Sequence, residues 1–250
     1  MTQTYVPKFT YIIPFRFSPD RIINLRRAVD LISSFHSIEL MVVEQDTTSK
    51  IDHLNLRCTH IFCESEYPFN KSWAFNVGLK RSLSDVIIFA DADFLIAPDN
   101  LIESLKALDK FDCVIPTSNV VKLNPNESLM DIHSIFQISR IDDKKNMVDG
   151  ISIFRKEAIY KIGGWNEDIF GVEYDNKFQD MKIKKSISYT QMNFTGYHLY
   201  HNPMGDFPNR ELIEDKNKKI LEYFDQNVQD LHKHIDRTLP LIGMQSKYSN

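Results

Sequence analysis

The segment "DVIIFADADF", residues 85–94, decides how the rest of the sequence is read. Its first half is a run of apolar and β-branched residues, the composition of a strand buried on both faces. Two aspartates, Asp91 and Asp93, close it. Alternate residues of an extended chain share a side, so both carboxylates are expected together at the strand's carboxyl end. There they repel each other unless a cation or hydrogen-bond donors compensate. A cap or turn is the commoner use of such acids; a divalent metal with sites left for phosphate oxygens is the other. The surrounding segments decide between the two.

Working outward, "FTYIIPF" (9–15), "IELMVVEQD" (38–46), "THIFCE" (59–64) and "DCVIPTSNVVKL" (112–123) read as strands. "SPDRIINLRRAVDLISSF" (18–35) carries apolar residues at helical spacing, with Ser18 expected as N-cap and Pro19 in the first turn. "FNKSWAFNVGLKRSL" (69–83) and "NLIESLKALDKF" (100–111) read as helices, the latter capped by Asp99. This alternation predicts an α/β fold with a mostly parallel, Rossmann-like central sheet flanked by helices. Ligands of such sheets bind at the carboxyl ends of strands, where Asp91 and Asp93 lie. Further on come a loop (124–131), a strand and short helix ended by Gly163-Gly164 (147–164), and an acidic loop entering a helix (165–186). A strand followed by a histidine pair (187–202) and a long charged amphipathic helix (210–235) complete the chain. No repeat, low-complexity tract or linker interrupts it, so residues 1–250 are expected to form one domain.

Composition narrows the class. The chain has 250 residues, 42% hydrophobic and 26% charged, as in an ordinary globular protein. A net charge of −4 gives no reason to expect a nucleic-acid partner. Three cysteines, Cys58, Cys63 and Cys113, make neither a disulfide framework nor a zinc knuckle; free thiols in a reducing compartment are expected. The N-terminal "MTQTYVPKFTYIIPF" lacks a signal-peptide core, and no apolar run is long enough to span a bilayer. A cytoplasmic location is expected, with at most a peripheral membrane association.

"IIPFR" (12–16), "FNKSWAFNVGL" (69–79), "FADADF" (89–94), "GGWNEDIFGVEYDNKF" (163–178) and "YHLYH" (197–201) occur in a telling order. Together they resemble the β-1,4-galactosyltransferase family and its bacterial relatives. That family has I-I-P-F-R, then F-N-x-x-x-x-x-N-V-G, D-x-D, G-W-G-x-E-D-D and finally a histidine. The resemblance covers roughly residues 9–202. It implies a GT-A (nucleotide-diphospho-sugar transferase) fold and a metal-dependent, inverting transfer of a sugar from a nucleotide-sugar, a UDP-sugar first, to a hydroxyl of an oligosaccharide or glycoconjugate. Residues 1–123 would then be the nucleotide-binding half, 124–202 the acceptor and catalytic half, and 203–250 a helical extension.

Residue by residue, the resemblance places Pro14, Phe15 and Arg16 against the nucleotide; an arginine offers a planar fork to carbonyl or phosphate oxygens. Glu44 and Asp46, at the end of the second strand, can accept from a base N–H or a ribose hydroxyl. Phe69 offers a face for a uracil, Lys71 a charge for the phosphates, and Asn76 matches N-V-G and braces the nearby loop. Gly78, two residues on, permits close packing of helix on sheet. Asp91 and Ala92 fall on the ribose and diphosphate side. Asp93 is the first metal ligand, with Asp91 as its helper. His198 and His201 are alternative further ligands, and imidazole with carboxylate suits Mn²⁺, or Mg²⁺ in its place.

The acidic loop departs from the family pattern, since "FGVEYDNKF" lacks the tryptophan of G-W-G. An inverting transfer needs a base for the acceptor hydroxyl. Aligning the D-N-x-F ending gives Asp175 that role, with Glu173 as the alternative base; aligning the glutamate instead puts Tyr174 on the family's catalytic aspartate and leaves no base there. A catalytically inactive nucleotide-sugar or glycan-binding protein of the same fold is the competing reading. A phosphatase of the D-x-D-x-[TV] type is disfavoured because that motif belongs on a first strand. A nucleotidyltransferase is disfavoured because "PFRFSP" has no glycine.

Overall fold

The computed structural model describes residues 8–35, 37–142, 144–169, 173–202 and 209–248. In chain order it contains β1 (Phe9–Phe15), α1 (Arg21–Ile32), β2 (Ile38–Asp46), β3 (Thr59–Glu64), α2 (Lys71–Arg81), β4 (Val86–Ala90), β5 (Phe94–Ile96) and α3 (Pro98–Ala107). There follow β6 (Cys113–Lys122), α4 (Ile132–Ile135), β7 (Ile151–Arg155), α5 (Lys156–Lys161), α6 (Tyr174–Ser186), β8 (Tyr189–His198), α7 (Arg210–Gln226) and α8 (Val228–Thr238).

The eight strands form one sheet in the order β3-β2-β1-β4-β7-β6-β8-β5. Strands β3, β2, β1 and β4 run parallel, the expected Rossmann-like half. With the β6–β8 pair, four of the seven strand pairings are parallel, as expected of a mostly parallel sheet, and the antiparallel pairings fall in the remainder. There β7 runs against both β4 and β6, and β5 runs against β8. Buried strands carry the same apolar pattern in either direction, so composition could not set the sense of β7.

Alternation along β1 shows how the layers form. Tyr11, Ile13 and Phe15 pack with Leu25, Val29 and Ile32 of α1 and Leu101 of α3. Ile12 packs on the opposite face with Trp73 and Phe75 of α2. A Cβ on Gly78 would lie 2.5 Å from Ile12 Cγ2, so glycine there lets α2 seat directly on β1. The C-terminal helices cover another face: Leu231 and Ile235 of α8 pack with Phe178 and Met181 of α6. α7 and α8 replace the single helix expected over 210–235, with the break at Asn227.

Two caps also differ from expectation. Asp20, not Ser18, caps α1, its side chain accepting from the Arg21 N–H, while Ser18 Oγ donates to it at 2.8 Å. Ala97 precedes α3 with Pro98 in its first turn, so Asp99 lies inside the helix. No helix among the described residues is long and apolar enough to cross a membrane. All three cysteines are free.

Candidate active site

β4 ends at Ala90, one residue before the acids, so Asp91 and Asp93 sit on a turn and not on one strand. The turn is closed by the Phe94 N–H to the Asp91 carbonyl, 3.2 Å. Its backbone is anchored on two sides. The Asp91 N–H donates to Gly150 O at 2.9 Å, before β7, and Asp93 O accepts from the Leu199 N–H at 2.8 Å, after β8. These bonds bring the D-x-D turn, the 144–150 segment and the histidine segment to one place. A pocket of about 480 Å³ opens there, lined among others by Pro14, Phe69, Ala92, Asp149, Lys144 and Lys145.

One charge network centres on Asp93. Its carboxylate lies 3.7 Å from His198 Nε2, 3.2 Å from His201 Nε2 and 3.3 Å from Arg21 Nη1. Burial opposes ionisation of Asp93, but His198, Arg21 and His201 hold its carboxyl below the usual range. His201 is fixed by its own segment: Nδ1 lies 2.8 Å from the Asn202 carbonyl. A carbonyl only accepts, so Nδ1 carries the proton in neutral His201. The Nε2 lone pair then faces an Asp93 oxygen, and two acceptors so placed need a proton or a metal ion between them. One donor atom from each of Asp93, His198 and His201 lies within 4.8 Å of the others. A carboxylate with two imidazoles suits Mn²⁺ better than Mg²⁺, which favours oxygen ligands.

A second network centres on Lys71, the first residue of α2. Its ammonium lies 3.4 Å from Asp91 and 3.6 Å from Asp175, and donates to Asn176 Oδ1 at 2.9 Å. Burial alone would lower its pKa, but Asp175, Asp91 and Asp149 raise it above the ordinary lysine value. Asp91 is pushed upward, first by burial and then by Asp93, Asp175 and Asp149, against the pull of Lys71.

Helix α6 carries the rest. Glu173 precedes it with a φ of 75°, an uncommon conformation for a residue with a Cβ. Its carboxylate is paired with Lys145 and lies 3.9 Å from Lys177. Phe170–Val172, the middle of the acidic loop, lie outside the described residues. Asn176 Nδ2 donates to Asp149 at 2.6 Å, and Asp180 accepts from the Met147 and Val148 N–H groups at 2.7 and 3.0 Å. α6 thereby fixes the 144–149 segment under the pocket. Burial raises Asp180 to about 6 despite those two donors.

Several residues expected at the nucleotide do not line this pocket. Phe15 is a core side chain, 1% exposed, so only its backbone could meet a ligand. Arg16 donates to the Tyr67 carbonyl at 2.6 Å and does not line the pocket. Glu44 is fully buried and accepts from Ser49, the Lys50 N–H and His60. Asp46 accepts from the Thr47 N–H at 2.8 Å, outside the pocket lining. Asn76 is fully buried; it donates to Trp165 O and Glu167 and accepts from the Trp165 N–H. It is the expected loop brace, with no polar atom left for a ligand.

Residues 25–163 match the family described as Glycosyl transferase family 2. The chain belongs to that family. As a family 2 glycosyltransferase it is expected to use a nucleotide-sugar donor and a glycan acceptor, and its solved relatives show the fold. The catalytic domain of Drosophila β1,4-galactosyltransferase 7, in complex with xylobiose, is 17% identical with a TM-score of 0.53, over 84% of this chain and 80% of that one. The mannosyltransferase PcManGT of Pyrobaculum calidifontis, in complex with GDP-Man and Mn²⁺, is 16% identical with a TM-score of 0.51, over 95% and 71%. TarS of S. aureus, residues 1–349, is 15% identical with a TM-score of 0.57, over 93% and 69%. No functionally curated protein is similar to the chain at a significant level. The fold is GT-A, as the resemblance implied.

The family 2 glycosyltransferase also has pocket residues that motif reading passed over. Arg21, Lys122, Lys144, Asp149 and Arg210 all line the cavity. Lys144 donates to Thr117 O and Oγ1 at 2.7 and 3.0 Å, and burial lowers its pKa to about 8. The only signal available beforehand was Asp149-Gly150 directly before a strand.

Proposed function

We propose that this chain is a metal-dependent, inverting glycosyltransferase that moves a sugar from a UDP-sugar to a hydroxyl of a glycan. The observation that carries the reading is the convergence of Asp93, His198 and His201 in the pocket that also holds Asp175. Asp93 and the two histidines would hold the ion, which when bound supplies positive charge for the diphosphate of the donor.

The remaining steps belong to the chain's own side chains. Phe69 and Pro14 offer apolar surface to the base. Asp175 takes the acceptor hydroxyl's proton as that oxygen attacks the anomeric carbon. The new C–O bond forms as the bond to the diphosphate breaks, and the nucleoside diphosphate leaves from the opposite face. Lys71 orients Asp175 from 3.6 Å. Asp175 is favoured over Glu173 because it stands beside Asp91, sharing Lys71 with it, whereas the Glu173 carboxylate is held between Lys145 and Lys177. We place the protein in the cytoplasm, with residues 203–250 as a helical extension of a single domain.

The test is donor turnover. A panel of UDP- and GDP-sugars with Mn²⁺ is assayed for nucleoside diphosphate release, with and without glycan acceptors. Release from a UDP-sugar, lost in Asp175→Asn, and an inverted anomeric centre by NMR are expected. Equal, negligible release by both proteins across the panel would instead favour a binding protein of the same fold.

A further inference from the structure

Arg21 stands in the donor cluster, though no motif pointed to it. Nη1 lies 3.3 Å from Asp93 Oδ2, and Nη2 lies 3.2 and 3.3 Å from the two ring nitrogens of His201. A nitrogen equidistant from both ring nitrogens at that range lies over the ring face and not in line with either lone pair. The guanidinium thus covers His201 while pairing with Asp93, two of the three groups that could hold a metal ion.

Its position in the fold costs something. Arg21 is the first residue of α1, and the first turn of that helix contains no acid. A cation at a helix N-terminus opposes the macrodipole. The capping residue Asp20 is engaged by Ser18, the Arg21 N–H and the Asn202 N–H. Asn24, one turn on, donates to Tyr200 O at 2.9 Å. The start of α1 is therefore tied to the segment bearing His201, and Arg21 is carried to the cluster by two independent anchors.

A divalent ion that reaches Asp93 Oδ2 and His201 Nε2 arrives beside a fixed positive charge, and like charges so close repel strongly in a partly buried site. An arginine fork, in turn, matches the oxygens of a phosphate. We infer that Arg21 is a resident cation of the Asp93–His201 pair, which contends with the metal ion for these groups and turns to the donor diphosphate once the ion is in place. The inference rests on the metal-binding reading of the cluster. It makes Arg21 a coupling device: the metal frees the guanidinium, and the freed guanidinium binds the nucleotide. Coupling of this kind is reciprocal between the two ligands.

The experiment measures Mn²⁺ binding without nucleotide, by electron paramagnetic resonance of the free ion, and UDP binding with saturating Mn²⁺, by calorimetry. Wild type, Arg21→Gln, Arg21→Lys and Asp93→Asn are compared. Arg21→Gln is expected to bind Mn²⁺ about fivefold or more tighter and UDP about tenfold weaker. Arg21→Lys keeps the charge but not the fork, so its Mn²⁺ affinity stays near wild type while UDP weakens. Changes of opposite sign are what a merely structural arginine would not give. Arg21→Gln binding Mn²⁺ no tighter than a wild type that does bind it would overturn the role of Arg21 alone. Absence of Mn²⁺ binding in both, or binding unaffected by Asp93→Asn, would overturn the metal reading and this inference with it.

Discussion

Asp91 and Asp93 stand two residues apart on one turn and belong to opposite electrostatic settings. Asp93 is one acid among three groups able to carry positive charge, His198, Arg21 and His201, and its carboxyl is held low. Asp91 shares one lysine with Asp175 and Asp149, and its carboxyl is pushed up. The D-x-D motif is thus not a pair of equivalent acids. One half sits among groups able to carry positive charge, and the other is joined through Lys71 to the helix that carries the proposed base.

The largest effect should come from the first network. Asp93→Asn is expected to lower transfer by about a thousandfold and to abolish any response to Mn²⁺, because it removes the acid that joins both histidines. A steady-state assay over a metal titration checks this; unchanged metal dependence would break the contrast between the two acids. Asp175→Asn comes next, with kcat down about 10²- to 10⁴-fold and donor affinity near wild type. A comparable loss in Glu173→Gln with Asp175→Asn active would move the base by two residues.

Lys71→Met sharpens the comparison from the other side. Three carboxylates lose their common counter-charge, and kcat/KM is expected to fall about 10- to 100-fold. Lys71→Arg should recover part of it. If the variant also loses its Mn²⁺ response, the networks are one and not two.

The smallest effect concerns a lysine buried without acids. Lys182 donates to the Gly164 carbonyl beside the Phe178 ring, and burial lowers its pKa to about 7. Lys71, half-buried at the pocket, moves the other way because carboxylates surround it. Folded Lys182 binds fewer protons than unfolded between about 7 and its ordinary 10.5. Stability should therefore rise with pH across that window. Lys182→Met should flatten the rise and leave Tm at pH 7 equal or a few degrees higher. Thermal melts from pH 6 to 9.5 check it; a wild-type Tm that falls through that range would contradict the assignment.

These contrasts also show what could be read before the fold was known. β1, β2 and β3 fall where their β-branched runs placed them, because such runs bounded by polar residues leave little choice. β4 stops short of its reading because Asp91-Ala92-Asp93 turns instead of extending. Motif order singled out Asp93, His198 and His201, and the fold brings the three together. Strand-end position does not say which way a side chain points, and Glu44 turns inward to accept from Ser49, Lys50 and His60, while Asn76 braces the 165–167 segment as its motif implied. Arg21 and Asp149 were missed because their partners, His201 and Asn176, lie 180 and 27 residues away in sequence. Such contacts are made by the fold and leave no local pattern.

The central claim is that Asp93, His198 and His201 form a metal site serving a nucleotide-sugar. The most direct measurement is thermal denaturation of wild type and Asp93→Asn with UDP-sugars, each with and without Mn²⁺. A ligand that binds only the folded state raises Tm by mass action. The predicted result is a rise of several degrees for wild type with a UDP-sugar and Mn²⁺ together, and none for Asp93→Asn. No shift with any UDP-sugar plus Mn²⁺, or an equal shift in both proteins, would contradict it.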